Sequence, residues 1–223
     1  MSITQNLNQI KNTIPKHVTL VAVSKTKPIE ALQEAYDSGQ RIFGENKIQE
    51  MTQKWEVLPK DIEWHMIGNL QRNKVKYMAE YVSLIHGVDS FKLLQEINKQ
   101  ALKHNRIINC LLQIKIAQED TKAGMTIEEA KAILQSEELS NLKNIKIIGL
   151  MGMASFSKNQ QQVTTEFNYL SNSFDQLKEI KTNNCELKTI SMGMSGDYEL
   201  AINCGSTMVR VGSSIFGVRN YNI

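Results

Sequence analysis

The sequence predicts a (β/α)8 TIM barrel: eight parallel strands closed into a cylinder, helices outside it, and an extra N-terminal helix ahead of the first strand. Short apolar runs alternate with helix-period stretches along the chain, the pattern of repeated βαβ units. Eight such runs can be counted, and eight units that close on themselves make a barrel. The 223 residues hold only three prolines and no low-complexity tract, so residues 1–223 read as one domain of roughly the ~250 residues usual for this architecture. An open doubly wound sheet is the alternative that the same alternation allows.

Residues 2–12 form the extra helix. The first strand-like run is Thr19–Lys25 (TLVAVSK). The helix Ile29–Ser38 follows, with Pro28 suited to its first turn and Gly39 placed as a stop. The second, third and fourth runs are Arg41–Asn46, Ile62–Gly68 and Leu84–Asp89. Phe91–His104 is helical, with Ser90 as N-cap, and the fifth run is Asn109–Ala117. Thr126 caps a helix at Ile127–Gln135, and Lys146–Met153 is the sixth run. A helix at Val163–Ile180 leads to the seventh run, Thr189–Met194, and the eighth is Met208–Phe216. All eight are short, apolar and β-branched, as strands buried on both faces should be.

Composition narrows the function classes. The chain is 41% hydrophobic and 22% charged, with 26 basic and 23 acidic residues for a net charge of +3. That balance offers no clustered basic face for nucleic acid. No apolar run approaches the ~20 residues of a membrane helix, and the polar N-terminus lacks a signal-peptide h-region. Cys110, Cys185 and Cys204 are far apart with no CxxC, which reads as small core residues, reduced thiols and a cytoplasmic location. The scattered methionines read as core filler. No long apolar helix face is evident, so a monomer is expected.

In such barrels chemistry gathers at the C-terminal ends of the strands. Val21, Val23 and Lys25 alternate onto one face, so a lysine ends the first strand among apolar neighbours. Lys25 is either a solvated strand end or a reactive amine. Asn46 either caps the next helix or faces a ligand. His65 is either a hydrogen-bonded core residue or part of the mouth, and Arg210, inside an apolar strand, needs a ligand or a carboxylate partner. His86 carries no signal by position. The loops after strands seven and eight often bind phosphate in barrels, and Gly193–Gly196 and Gly212–Ser214 are small-residue turns at those two places. Glycine lets the backbone approach an anion, amides and serine hydroxyls donate to it, and a helix starting near Asp197 adds its positive end. A phosphate cup opposite a lysine describes a phosphorylated carbonyl ligand, since a lysine desolvated to neutrality attacks aldehydes.

Several segments recur together in one known family: AVSKTKP at 22–28, FGENKIQE at 43–50, WHMIGNLQRNK at 64–74, IHGVDS at 85–90, KAGM at 122–125, GLMGM at 149–153 and SMGMSGDYELAINCGSTMVRVGSSIFGVRNY at 191–221. In these the chain resembles the pyridoxal phosphate homeostasis proteins, also called proline-synthetase co-transcribed proteins, nearly from end to end. That family is similar to the barrel domain of alanine racemases. The resemblance implies pyridoxal 5'-phosphate (PLP) held as a Schiff base, an internal aldimine, on Lys25, with Asn46 beside the ring. It implies Met194, Ser195, Arg210, Val211, Gly212 and Ser213 around the phosphate and pyridine side, and His65 at the mouth. Lys47, Asn69 and Gly196 depart from the residues usual at their positions, which touches only fine contacts at the mouth.

The same resemblance implies a regulator of cofactor supply rather than an enzyme. A pyridoxal racemase needs a second proton-transferring group across the ring, supplied in racemases by a tyrosine from a second domain. Here the last strand is read to end near Phe216 and the sequence ends at Ile223, which leaves that domain no room. An open Schiff base suits delivery to apo enzymes. A racemase or decarboxylase on the same imine and a phosphate-binding barrel enzyme without pyridoxal are the competing readings.

Overall fold

The computed structural model describes residues 2–117 and 123–218. Lys122 of KAGM and residues 219–221 of the last motif lie outside them. Ser2 caps α1 (Ile3–Thr13) through a capping box with Gln5, as residues 2–12 predict. Then come β1 (Thr19–Val23), α2 (Ile29–Asp37), β2 (Ile42–Glu45), α3 (Ile48–Val57) and β3 (Glu63–Met66). A single 3-10 segment, Arg72–Tyr77, leads from β3 to β4 (Val82–Val88), followed by α4 (Phe91–Lys103) and β5 (Ile108–Gln113). Next are α5 (Ile127–Gln135), α6 (Glu137–Ser140), β6 (Ile145–Met151) and α7 (Gln160–Leu177). The chain closes with β7 (Cys185–Met194), α8 (Tyr198–Asn203), β8 (Met208–Val211) and α9 (Ser213–Phe216).

The eight strands form a closed barrel in sequence order. Each pairs in parallel with its neighbours, and β1 meets β8 with Val21 opposite Arg210. The barrel expected from the alternation is therefore present, and the open doubly wound sheet is not. Period-two alternation sorts the strand side chains into two cores. Val21, Leu84, Leu111, Met151 and Met208 cluster inside the cylinder. Ala22, Phe43, Ile85, Val209 and Val211 face outward into the larger core beneath the helices. Burying a side chain of this kind is worth about 1.5–3 kcal/mol. Leu7 and Ile10 of α1 join the outer core, and Asn6 donates to the Ile215 carbonyl of α9 (3.0 Å). The extra helix thus covers the outside of the β8–β1 seam.

Three strand boundaries differ from the sequence reading by four residues or more. The run Met208–Phe216 is a four-residue strand followed by a helix, because the chain turns at Gly212. β7 starts earlier, at Cys185. β5 stops at Gln113, beyond which Ile114 makes only a bridge to Met125. Gly39 ends α2 at φ +84°, a left-handed conformation that glycine adopts without strain. Cys110 and Cys185 are buried and unpaired, and Cys204 is half-buried. Among the described residues no helix is long and apolar enough to cross a membrane.

Candidate functional site

The alternation Val21, Val23, Lys25 climbs β1 from the barrel interior to its mouth. Val21 packs inside the cylinder, while Val23 and Lys25 line a cavity of about 450 Å3 at the C-terminal rim. That volume suits a small molecule. Asn46, at the end of β2, lies on the same wall. The N-cap position of α3 falls on Lys47, with no side-chain cap bond, so Asn46 faces the cavity instead of capping. Ile67 and Met153 supply apolar surface, and Phe156, 86% exposed, stands at the rim.

The loop that carries Lys25 is tightly held. Ser24 donates its hydroxyl to Glu45 Oε1 (2.6 Å). Lys54 Nζ donates to Ser24 O (2.8 Å), Glu45 Oε1 (2.8 Å) and Glu50 Oε1 (2.7 Å). The Thr26 amide donates to Glu50 Oε1 (2.6 Å). Thr26 has φ +62°, a left-handed conformation that costs a β-branched residue about 1–3 kcal/mol. Burial pushes the Glu45 carboxyl above its usual range, against the opposing pull of Lys54 and Ser24.

Beside β1, across its pairing with β8, the ends of β7 and β8 build the small-residue cup. Gly193 turns the chain at φ +95°, where a Cβ would come within 2.6 Å of Ala201 Cβ, so only glycine fits. The Met194 amide donates to Asp197 Oδ1 (2.6 Å), which rigidifies the turn. The Gly212 amide donates to Ser195 Oγ (3.0 Å) and joins the two loops. Met194, Ser195, Gly196, Gly212 and Ser213 all line the cavity. Lys27, two residues beyond Lys25, donates to the carbonyls of Phe216 (2.9 Å), Gly217 (3.0 Å) and Val218 (3.3 Å), fastening the β1–α2 loop to the end of α9.

Arg210 forms the floor, at 4% exposure. Among the described residues its hydrogen bonds go to two carbonyls and a hydroxyl. Nη1 donates to the carbonyl (2.8 Å) and hydroxyl (2.6 Å) of Ser191, and Nη2 to the Gly152 carbonyl (3.0 Å). Ser191 Oγ lies 3.0 Å from His86 Nδ1, and His86 Nε2 lies 3.1 Å from His65 Nδ1. An arginine has donors only, so the serine hydrogen is left for His86 Nδ1. His86 then carries its proton on Nε2 and donates to His65. Burial pushes His65 down to about 3 and His86 well below its ordinary value. Both rings are therefore neutral at pH 7. Burial lowers Arg210 to about 10, with Asp197 pulling the other way.

Two of the expected residues are not among those lining the cavity. His65 does not line the mouth: it is 3% exposed, inside the barrel, because its position on β3 turns it inward below Ile67. The Val211 side chain does not face the cavity either. Alternation along β8 sends Met208 and Arg210 inward and Val209 and Val211 into the outer core. The other expected residues, Lys25, Asn46, Met194, Ser195, Arg210, Gly212 and Ser213, meet around one cavity. Sequence reading passed over His86, which shares the inward face of β4 with Leu84 two residues before it. It also passed over Glu50, Lys54 and Lys27, which helix and loop patterns present as ordinary surface charges.

The residues present fit pyridoxal phosphate. An aldehyde needs an amine, which Lys25 offers. A phosphate needs donors, and the cup has the Ser195 and Ser213 hydroxyls with the small turn at Gly196. A flat ring needs apolar walls, here Val23, Ile67 and Met153, and among the described residues no carboxylate lines the cavity. A larger hollow of about 530 Å3, over Glu30, Glu34 and Asp37, has the wrong charge for a phosphate.

Comparison with known proteins agrees with this architecture. The family model "Alanine racemase, N-terminal domain" matches residues 1–220. A pyridoxal phosphate homeostasis protein of Aquifex aeolicus is 40% identical over 203 residues, covering 91% of this chain and 87% of that protein. The structure of PipY from Synechococcus elongatus, solved with PLP bound, superposes with a TM-score of 0.87 at 34% identity, covering 97% of this chain and 100% of that one. An alanine racemase of Clostridium difficile shares the fold at a TM-score of 0.76 and 16% identity, with 99% of this chain matched to 58% of the racemase. The chain belongs to the alanine racemase N-terminal domain family and, within it, to the pyridoxal phosphate homeostasis proteins.

Proposed function

We infer that this chain binds pyridoxal 5'-phosphate and serves its homeostasis, with Lys25 as the amine that takes the aldehyde and no dedicated reaction of its own. The observation that carries the reading is the juxtaposition of Lys25, on one wall of the cavity, with the Ser195–Gly196 and Gly212–Ser213 turns on another. The cofactor brings an aldehyde that bonds reversibly to a primary amine and a ring that draws electrons. Every other contribution belongs to the protein. Val23, Ile67 and Met153 would bound the ring, Asn46 would flank it, and the cup would hold the phosphate.

Two features favour holding over turnover. Among the described residues, no tyrosine, histidine or carboxylate lines the cavity, so none of them is a second proton-transferring group facing Lys25. Lys27 is committed to three carbonyls. The cationic Arg210 on the floor disfavours a proton on a nearby ring nitrogen, and an unprotonated ring is a weaker electron sink. An open mouth lets water or an acceptor's lysine reach the bond, so apo enzymes in a cytoplasm are the natural recipients. The protein works as a monomer in this reading.

Borohydride reduction of the protein loaded with pyridoxal phosphate, followed by peptide mass analysis, is expected to place the adduct on Lys25. An adduct confined to other lysines defeats the reading. Loaded protein is expected to activate an apo enzyme faster than an equal amount of free cofactor, without racemising amino acids.

A further inference from the structure

The residues on either side of Lys25 are gripped by one buried ionic cluster. Lys54 and Glu45 are almost fully enclosed, with side chains 6% and 0% exposed, and Glu50 is 22% exposed. The three donors of the Lys54 ammonium go to Ser24 O, Glu45 and Glu50, which exhausts them. Glu45 Oε2 is buried with no hydrogen-bond partner. A cluster of this kind is a poor way to gain stability, because apolar side chains of similar volume commonly do as well or better. Its contacts fall on the Ser24 carbonyl and hydroxyl and on the Thr26 amide. Thr26 sits in the left-handed region immediately after Lys25, and the partner of its amide is Glu50.

We propose that Glu50, Lys54 and Glu45 are positioning residues for the Lys25 amine. They fix the peptide units before and after Lys25, with Glu50 holding Thr26 at positive φ, so that the side chain enters the cavity toward the phosphate cup in one direction. This deepens the assignment of Lys25 as the cofactor amine and rests on it. The step served is bond formation. The neutral Lys25 nitrogen bonds the aldehyde carbon, and the aldehyde oxygen leaves as water with the two amine hydrogens. The cluster does not touch the cofactor and acts through the backbone.

The test follows visible absorbance after mixing ligand-free protein with pyridoxal phosphate, with borohydride trapping to identify the lysine. Failure of wild type to label Lys25 removes the assignment itself. With wild type labelled, Glu50→Ala is expected to form the bond about tenfold more slowly, since misplacement of a reacting group is costly, when both proteins are assayed well below their thermal midpoints. Glu50→Gln keeps an oxygen for the Thr26 amide and is expected within about twofold of wild type. Thr26→Gly adopts positive φ without strain, so adding Glu50→Ala to it is expected to change the rate by less than about twofold. The proposal is overturned if Glu50→Ala matches wild type, if Glu50→Gln is as slow as Glu50→Ala, or if the two changes slow the reaction independently.

Discussion

At the scale of single residues, Arg210 shows how a charge becomes tolerable inside a barrel. It is one of the residues a core should reject, yet its Nη1 and Nη2 groups reach two carbonyls and a hydroxyl. Replacing Arg210 with Leu strands the Gly152 carbonyl in a buried setting, while the Ser191 carbonyl keeps the Gly152 amide (3.1 Å) as a donor. The variant is expected to lose about 1–3 kcal/mol in urea unfolding, the cost of one orphaned buried polar group. A loss below ~0.5 kcal/mol would show that water replaces the guanidinium at no cost. The charge of Arg210 was legible in the sequence as an anomaly, but its partners were not. Two are backbone carbonyls, which leave no mark in a sequence. The same holds for His65. A strand buried on both faces reads as a continuous apolar run, so nothing in the run fixes which way the histidine turns.

At the scale of elements, the strands and the lysine were readable because alternation and turn chemistry are local. Val21, Val23 and Lys25 share a face by periodicity alone, and Thr126 forms its capping box with Glu129 as its spacing suggests. The end of the chain was harder. The run Met208–Phe216 is apolar throughout, and only the turn at Gly212 separates strand from helix. The clasp between Lys27 and α9 was invisible for a different reason: it joins residues almost the whole chain apart. Replacing Lys27 with Met is expected to loosen α9 selectively. The Ile215, Phe216 and Gly217 amides should exchange with solvent roughly tenfold faster, about 1 kcal/mol of local stability. Amides within β4 and β5 should be unaffected. Equal acceleration in the strands would mean that the lysine supports the whole barrel.

At the scale of the molecule, the neutral histidine pair links stability to pH. Burial holds both His65 and His86 below their unfolded value near 6.5. The native state therefore binds fewer protons than the unfolded chain as pH drops, and stability is lost below about 6.5. The slope is up to about 1.4 kcal/mol per pH unit for each histidine, continuing toward the folded value. In denaturant titrations between pH 7 and 4.5, wild type should lose stability more steeply than the His65→Gln/His86→Gln variant. Parallel curves would rule out the pair as the acid-sensitive element. The whole-molecule architecture itself was legible, since eight units of strand and helix leave few other ways to close a parallel sheet.

The β1–β8 pairing has a final consequence. Lys25 extends from β1, while Arg210 and the Gly212–Ser213 turn belong to β8. A molecule tethered to the one and cradled by the other straddles the line along which the cylinder zips shut. Cargo would then double as a fastener, so that loading and keeping the barrel closed become a single act, and a protein that surrenders its vitamin also gives up a brace at the joint between its opening and closing strands.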